Sequence, residues 1–196
     1  MADFDEDLQM SDVSDDDLIR MYSEGDADAF HTLFDRYHAS VYNFARSMLG
    51  NCDDSEEVLQ ETFLAVAANA KSYTPRRRLR AWLMRIVRNR CLNRIQAERV
   101  RRAVFANSGL EILDQPAREP LPPENIEADE QSAIVRAAIA GLPDRQREAI
   151  TLYAYERMSY REIADVLEMP INSVKTLIHR ARAAIARSLE SQEQEP

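Results

Sequence analysis

The stretch Ser159–Arg182, SYREIADVLEMPINSVKTLIHRAR, reads as two short helices joined by a tight turn. Ser159-Tyr160-Arg161-Glu162 has the form of a capping box, in which the Ser hydroxyl takes the amide of the residue three on and the Glu carboxylate reaches back. Ile163, Ala164 and Leu167 then recur at helical spacing, and Met169-Pro170-Ile171 breaks the run. Asn172 or Ser173 is placed to cap the second helix. On that helix Val174, Leu177, Ile178, Ala181 and Ile185 form one narrow apolar stripe. Ser173, Thr176, His179, Arg180, Ala183 and Arg187 project to the opposite arc, with Lys175 and Arg182 at the boundary. A capped short helix followed by one with a basic outer face fits a helix-turn-helix, whose second helix can enter a DNA groove. His179 has a plainer alternative, a surface histidine. As a lone motif the pattern is shared by many regulators.

Working back from it, Leu142-Pro143-Asp144 opens another helix with Pro in the first turn, carrying Ala149, Ile150, Leu152 and Tyr153 inward and ending near Arg157. Residues 130–190 thus make one helical unit, followed by a polar tail, 191–196. Between Ala103 and Asp129 the chain has Pro116, Pro120, Pro122 and Pro123 with scattered acids and little periodicity, which predicts a linker. Residues 18–102 are periodic throughout. Residues 1–17 are acidic and poor in large apolar side chains, and predict a disordered tail. The expected class is all-α: two small helical domains joined by a flexible linker.

The net charge of −9 hides a segregation. Residues 1–28 hold eleven acids against Arg20, and residues 103–135 hold seven acids against Arg118. Residues 71–102 hold twelve bases against Glu98. That middle segment has the electrostatic footprint of a phosphate binder, since arginine forks pair bidentately with phosphate. The alternative, a solvated basic face, is disfavoured by the density of like charge. Lys71–Arg78 is expected to be a loop because Pro75 and its predecessor resist helix. The helix after it sets Leu79, Trp82, Leu83, Ile86 and Val87 on its apolar side; an aromatic beside basic residues can stack on an unpaired base, but this alignment favours core packing for Trp82, and Tyr73 is the more exposed aromatic. Asn89 and Asn93, four apart, could offer amides to base edges.

In the first block Leu18, Met21, Tyr22, Phe30, Leu33, Phe34, Tyr37, Val41, Phe44, Ala45 and Met48 follow helical spacing, and Gly50 is a helix stop. Asp53-Asp54-Ser55 supplies caps for a helix over about 55–70 with Val58, Leu59, Phe63 and Val66 on one side. Glu57, Gln60, Glu61 and Leu64 share the other, which is either a solvated face or a partner surface. Cys52 and Cys91 are expected as buried small hydrophobes, and no CxxC, HExxH or Cys/His cluster calls for zinc. No cofactor motif and no catalytic arrangement can be read, so an enzyme is not expected. No apolar run approaches the roughly 20 residues of a membrane helix, and the start is acidic where a signal peptide is basic, so a cytoplasmic protein is expected.

Taken in order, these segments resemble the sigma-70 family, specifically its extracytoplasmic-function (ECF) group. Glu56-Glu57-Val58-Leu59-Gln60-Glu61-Thr62-Phe63-Leu64 looks like the family's region 2.2 motif. Arg80-Ala81-Trp82-Leu83-Met84-Arg85-Ile86-Val87-Arg88-Asn89 is similar to its promoter-melting signature, and Leu142-Pro143 with the helix-turn-helix matches region 4. The resemblance implies that Glu57, Gln60, Glu61 and Leu64 dock on core RNA polymerase. It implies that Tyr73, Arg76, Arg77, Arg78, Arg85, Arg88, Asn89 and Asn93 take the unwound −10 element of promoter DNA. Ser173, Lys175, Thr176, His179, Arg180 and Arg182 would read the −35 element, and an anti-sigma factor would hold the protein inactive. Two departures stand out. The acidic N-terminal extension is either a solvated tail or a shield for the basic segment, and Asn172 replaces a Gly that often precedes the recognition helix, with left-handed φ tolerable for Asn. A stand-alone helix-turn-helix regulator is the competing reading, but it leaves the arginine-rich block unassigned and shows no strong dimer helix.

Overall fold

The computed structural model describes residues 12–74, 78–107 and 130–192. Among them are eight α-helices and no strand. Helix α1, Asp15–Glu24, starts where the Ser14 hydroxyl accepts the Asp17 amide, with Asp15, Asp16 and Asp17 at its positive end. Residues 15–17 are therefore not tail. Their carboxylates are used locally: Asp15 takes Arg36 and the Tyr37 hydroxyl, and Asp16 accepts from Tyr73 Oη at 2.9 Å. Residues 1–11 lie outside the described residues.

Asp26 caps α2, Ala27–Leu49, which ends on Gly50 at φ 84°, the left-handed turn that glycine adopts without steric cost. Helix α3, Cys52–Asn69, starts three residues ahead of the expected Ser55, because Asn51 Oδ1 takes the Asp54 amide at 2.7 Å. Cys52 thereby becomes the first residue of the helix and is exposed, contrary to the burial expected for it. Cys91 is buried as expected, and burial, with the Glu148 charge adding, pushes its thiol up to about 12. A 3-10 turn, Ala70–Ser72, leads toward α4, Leu79–Asn107. Helix α4 runs five residues into the segment expected as linker, and the rest of that linker, 108–129, lies outside the described residues. Leu33, Val41, Phe44, Met48, Val58, Phe63, Met84 and Val87 fill the core between α2, α3 and α4. Each large side chain so buried contributes about 1.5–3 kcal/mol.

The second group holds α5 (Glu130–Ala140), α6 (Asp144–Ala154), α7 (Tyr160–Leu167) and α8 (Ile171–Gln192). Helix α6 stops three residues before the expected Arg157, which has φ 50° in the connection that follows. The capping box is complete, with Glu162 N to Ser159 Oγ at 3.3 Å and Ser159 N to Glu162 Oε2 at 2.8 Å. Burial raises the Glu162 carboxyl, but its hydrogen bonds with Ser159 outweigh this and hold it below the usual value. Left-handed φ falls on Glu168 at 53°, the C-cap of α7, and not on Asn172. Helix α8 begins at Ile171, ahead of both expected caps, because the Pro170 carbonyl takes the Ser173 amide at 2.9 Å.

The two groups are not held apart. Helix α2 packs on α5 and α6, α4 packs on α7, and the buried apolar residues form one cluster.

Candidate nucleic-acid interface

Where α3, the 3-10 turn and α4 meet, an open cleft of about 530 Å³ is lined by Asn69, Tyr73, Arg78, Trp82 and Arg85. Asp165 of α7 closes one wall. The Tyr73 and Trp82 rings lie 5.1 Å apart at 46°, and the Asp16 carboxylate fixes the Tyr73 hydroxyl. Trp82 is half-buried, with one side on the core and the other on the cleft, so its core assignment is only half the story. Aromatic faces beside an amide and guanidinium groups can stack and hold an unpaired base. Asp16 and Trp82 were not among the candidate residues. An aromatic near a dense basic run was the signal for Trp82, and nothing in the sequence pointed to Asp16.

The remaining basic residues divide. Asn89 and Asn93 are exposed on α4. Arg76 and Arg77 lie outside the described residues. Arg88 does not lie on an open face: its Nε donates to Glu148 Oε2 at 3.0 Å, with the two side chains 6% and 1% exposed. Arg85 donates to the Asp165 carbonyl at 2.6 Å, and Arg78 pairs with the Asp165 carboxylate at 3.0 Å.

On α3, Glu57, Gln60 and Leu64 are exposed, Leu64 by 69%, and Glu61 is half-buried. Arg94 braces this face from α4, reaching Asp54 at 2.9 Å, Glu57 at 2.8 Å and Glu61 at 2.9 Å, while Arg90 meets Glu61 at 2.7 Å. Burial raises the Glu61 carboxyl, but the two guanidinium partners outweigh it and hold the carboxyl below its usual range. The face therefore presents carboxylates held in place around an unpartnered leucine.

Ser173, Lys175, Thr176, His179, Arg180 and Arg182 are all exposed along α8, while Val174, Ile178 and Ala181 are buried beneath them. Arg182 lies over the Tyr153 ring at 4.8 Å, so its direction is set by stacking. Thr176 Oγ1 donates to the Asn172 carbonyl at 2.9 Å.

Residues 33–101 match the family Sigma-70 region 2, and residues 132–185 match Sigma-70, region 4. The ECF RNA polymerase sigma factor SigW of Bacillus subtilis is 32% identical over 87% of this chain and 94% of its own length. The chain belongs to the ECF sigma factors. The sigma factor SigK of a Mycobacterium species is 31% identical, over 82% of this chain and 83% of its own. Among solved structures, CnrH in complex with the cytosolic domain of CnrY has a TM-score of 0.67 at 28% identity, covering 90% of this chain and 97% of that one. RpoE of Bartonella quintana, crystallised with the anti-sigma factor NepR, shares the fold with a TM-score of 0.67 at 24% identity, over 82% of this chain and 96% of that one. As an ECF sigma factor the protein serves transcription initiation and is not an enzyme. The two matched regions fall on the two helical groups, so the cleft is lined by region 2 except for Asp165, and α8 belongs to region 4.

Proposed function

We propose a division of labour among three surfaces of this sigma factor. The α3 face, with Leu64 at its centre and Glu57, Gln60 and Glu61 around it, docks on core RNA polymerase. The Tyr73–Trp82 cleft takes a base flipped from the unwound −10 element, and Arg78, Arg85, Asn89 and Asn93, with Arg76 and Arg77, follow the single strand. Helix α8 reads the −35 element through Ser173, Thr176, His179 and Arg180, with Lys175 and Arg182 on phosphates. The protein works in the cytoplasm, where polymerase and chromosome are, and no helix among the described residues is long and apolar enough to cross a membrane. An anti-sigma factor holds it inactive; the relative CnrH, 28% identical to this chain, forms a complex with the cytosolic domain of CnrY.

The reading rests on one observation above the rest. A single chain carries an aromatic cleft flanked by Arg78 and Arg85 and, separately, a helix whose exposed side holds Lys175, His179, Arg180 and Arg182. The first suits an unstacked base and the second a duplex groove, and melting a promoter requires both. The test is transcription of genomic DNA by sigma-free core polymerase with and without the purified protein. Transcripts from a few defined starts, only with both components, support the reading. Sequence-selective binding to DNA by the protein alone, with no complex with core, favours a stand-alone regulator instead.

A further inference from the structure

The polar side chains along the α3 side of the cleft are alike in what they can still offer. Asn69 Nδ2 donates to the Ala65 carbonyl at 2.7 Å, so the carboxamide nitrogen is held against the helix backbone and Oδ1 is left as the acceptor. The reverse setting would bring two oxygens together. Ser72 Oγ spends its single hydrogen on the Asn69 carbonyl at 2.9 Å, and Tyr73 Oη spends its own on Asp16 at 2.9 Å. All three residues line the cleft, and Asn69 and Ser72 are exposed. The donors come from the guanidiniums of Arg78, just ahead of α4, and of Arg85 within it. A guanidinium carries several N–H groups, so the contacts with Asp165 leave donors over.

We propose that this cleft selects an amino base, adenine or cytosine, over a keto base, and that Asn69 is the residue that sets the choice. The inference rests on the assignment of the cleft to the flipped −10 base. An amino base carries an exocyclic N–H donor next to a ring-nitrogen acceptor: N6 beside N1 in adenine, N4 beside N3 in cytosine. Asn69 Oδ1 suits the donor, and an arginine suits the acceptor. In thymine and guanine the order is inverted, with O4 or O6 beside a ring N–H. Such a base, stacked on the same rings, sets its keto oxygen against Oδ1, and the hydroxyl hydrogens of Ser72 and Tyr73 are already committed. Leaving one acceptor facing another costs more than a matched pair gains. The Tyr73 and Trp82 rings add affinity for purine and pyrimidine alike, since every base has a π-face.

The test uses holoenzyme assembled from core polymerase and the full chain, on a promoter identified by its genomic transcripts and randomised through the −10 element. Barcoded templates let each transcript report its promoter, giving the ratio of A and C to T and G at each position. Wild type is expected to favour A or C about tenfold at one position. Tyr73→Ala should flatten that position, which marks it as the base in the cleft. Asn69→Ala should bring the ratio there close to parity, and Asn69→Lys, which replaces the acceptor by a donor, should tip it toward T and G. Other positions should keep their wild-type ratios. The ratio is read only from molecules that fold and initiate, so helix stability lost with the Ala65 bond lowers yield and leaves the ratio unmoved. Preference for T or G at the Tyr73-dependent position, or an A and C preference there that survives Asn69→Ala, would overturn the selection and leave the role of the cleft standing. If Tyr73→Ala moves no position, the cleft holds no base, and both readings fall together.

Discussion

Leu64 offers the sharpest test of the docking face. Full burial of a leucine side chain is worth about 1.5–3 kcal/mol. With 69% of the residue exposed in the free protein, roughly two thirds of that remains to be gained on binding. Leu64→Ala should therefore weaken association with core polymerase by about 1–2 kcal/mol, a factor of roughly 5 to 30 in Kd. Leu64→Glu should cost more, because it sets a further carboxylate beside Gln60 and Glu61. The free protein should be indifferent to either change, since little of Leu64 is packed. The assay is an equilibrium titration of core polymerase into protein labelled at its C-terminus, with thermal unfolding of each variant alongside. Val104, 61% exposed near the end of α4 and away from this face, is the control for generic stickiness. Wild-type affinity in both Leu64 variants, or an equal loss in Val104→Ala, would refute the assignment.

Arg94→Gln should lower the melting temperature at low salt by several degrees, since three partly exposed pairs at about 0.2–1 kcal/mol each are lost together. Because the folded Glu61 carboxyl is depressed, its contribution is present above the ordinary glutamate range and lost as pH falls through the folded pKa. The gap between wild type and Arg94→Gln should accordingly narrow on acidification and at high salt, and thermal scans over pH would show it. Ser159→Ala removes the hydroxyl that takes the Glu162 amide and should cost about 1 kcal/mol, or some 2–4 °C, in the same scans. Lys175→Ala should weaken binding to −35 duplexes of any sequence alike and reduce the slope of log K against log salt by about 0.9, as measured by titrations at several salt concentrations.

Most of the helices were legible because their signals are local. The capping box at Ser159 and Glu162, the stripe Val174–Leu177–Ile178–Ala181 and the stop at Gly50 each depend on residues within a few positions, and all three are present. What was missed depends on contacts between distant segments. The acidity of residues 1–17 read as solvation, yet Asp15 and Asp16 are partnered by Arg36, Tyr37 and Tyr73 from other helices. Cys52 looked buried by residue type, and one shift in the helix start exposed it.

Arg88 and Glu148 make the same point from the other direction. Each lies on a helix where periodicity assigns a charged residue to solvent, because the pattern weighs one side chain at a time and an isolated charge is costly to bury. Paired across 60 residues at 3.0 Å, both are buried, Arg88 to 6% and Glu148 to 1% side-chain exposure. Neither helix contains the information alone. The segregation of charge along the sequence was the only trace of it: a chain that gathers bases between 71 and 102 has to place them against something. In this structure region 4 supplies anions to Arg78, Arg80, Arg85, Arg88 and Arg99, α3 supplies them to Arg90 and Arg94, and the proposed promoter contacts would set phosphates against part of the same set. The groups that make the basic face attractive to DNA therefore also let the protein fold back on it, so a variant that neutralises region 4 acids should change DNA binding without altering any residue that touches DNA.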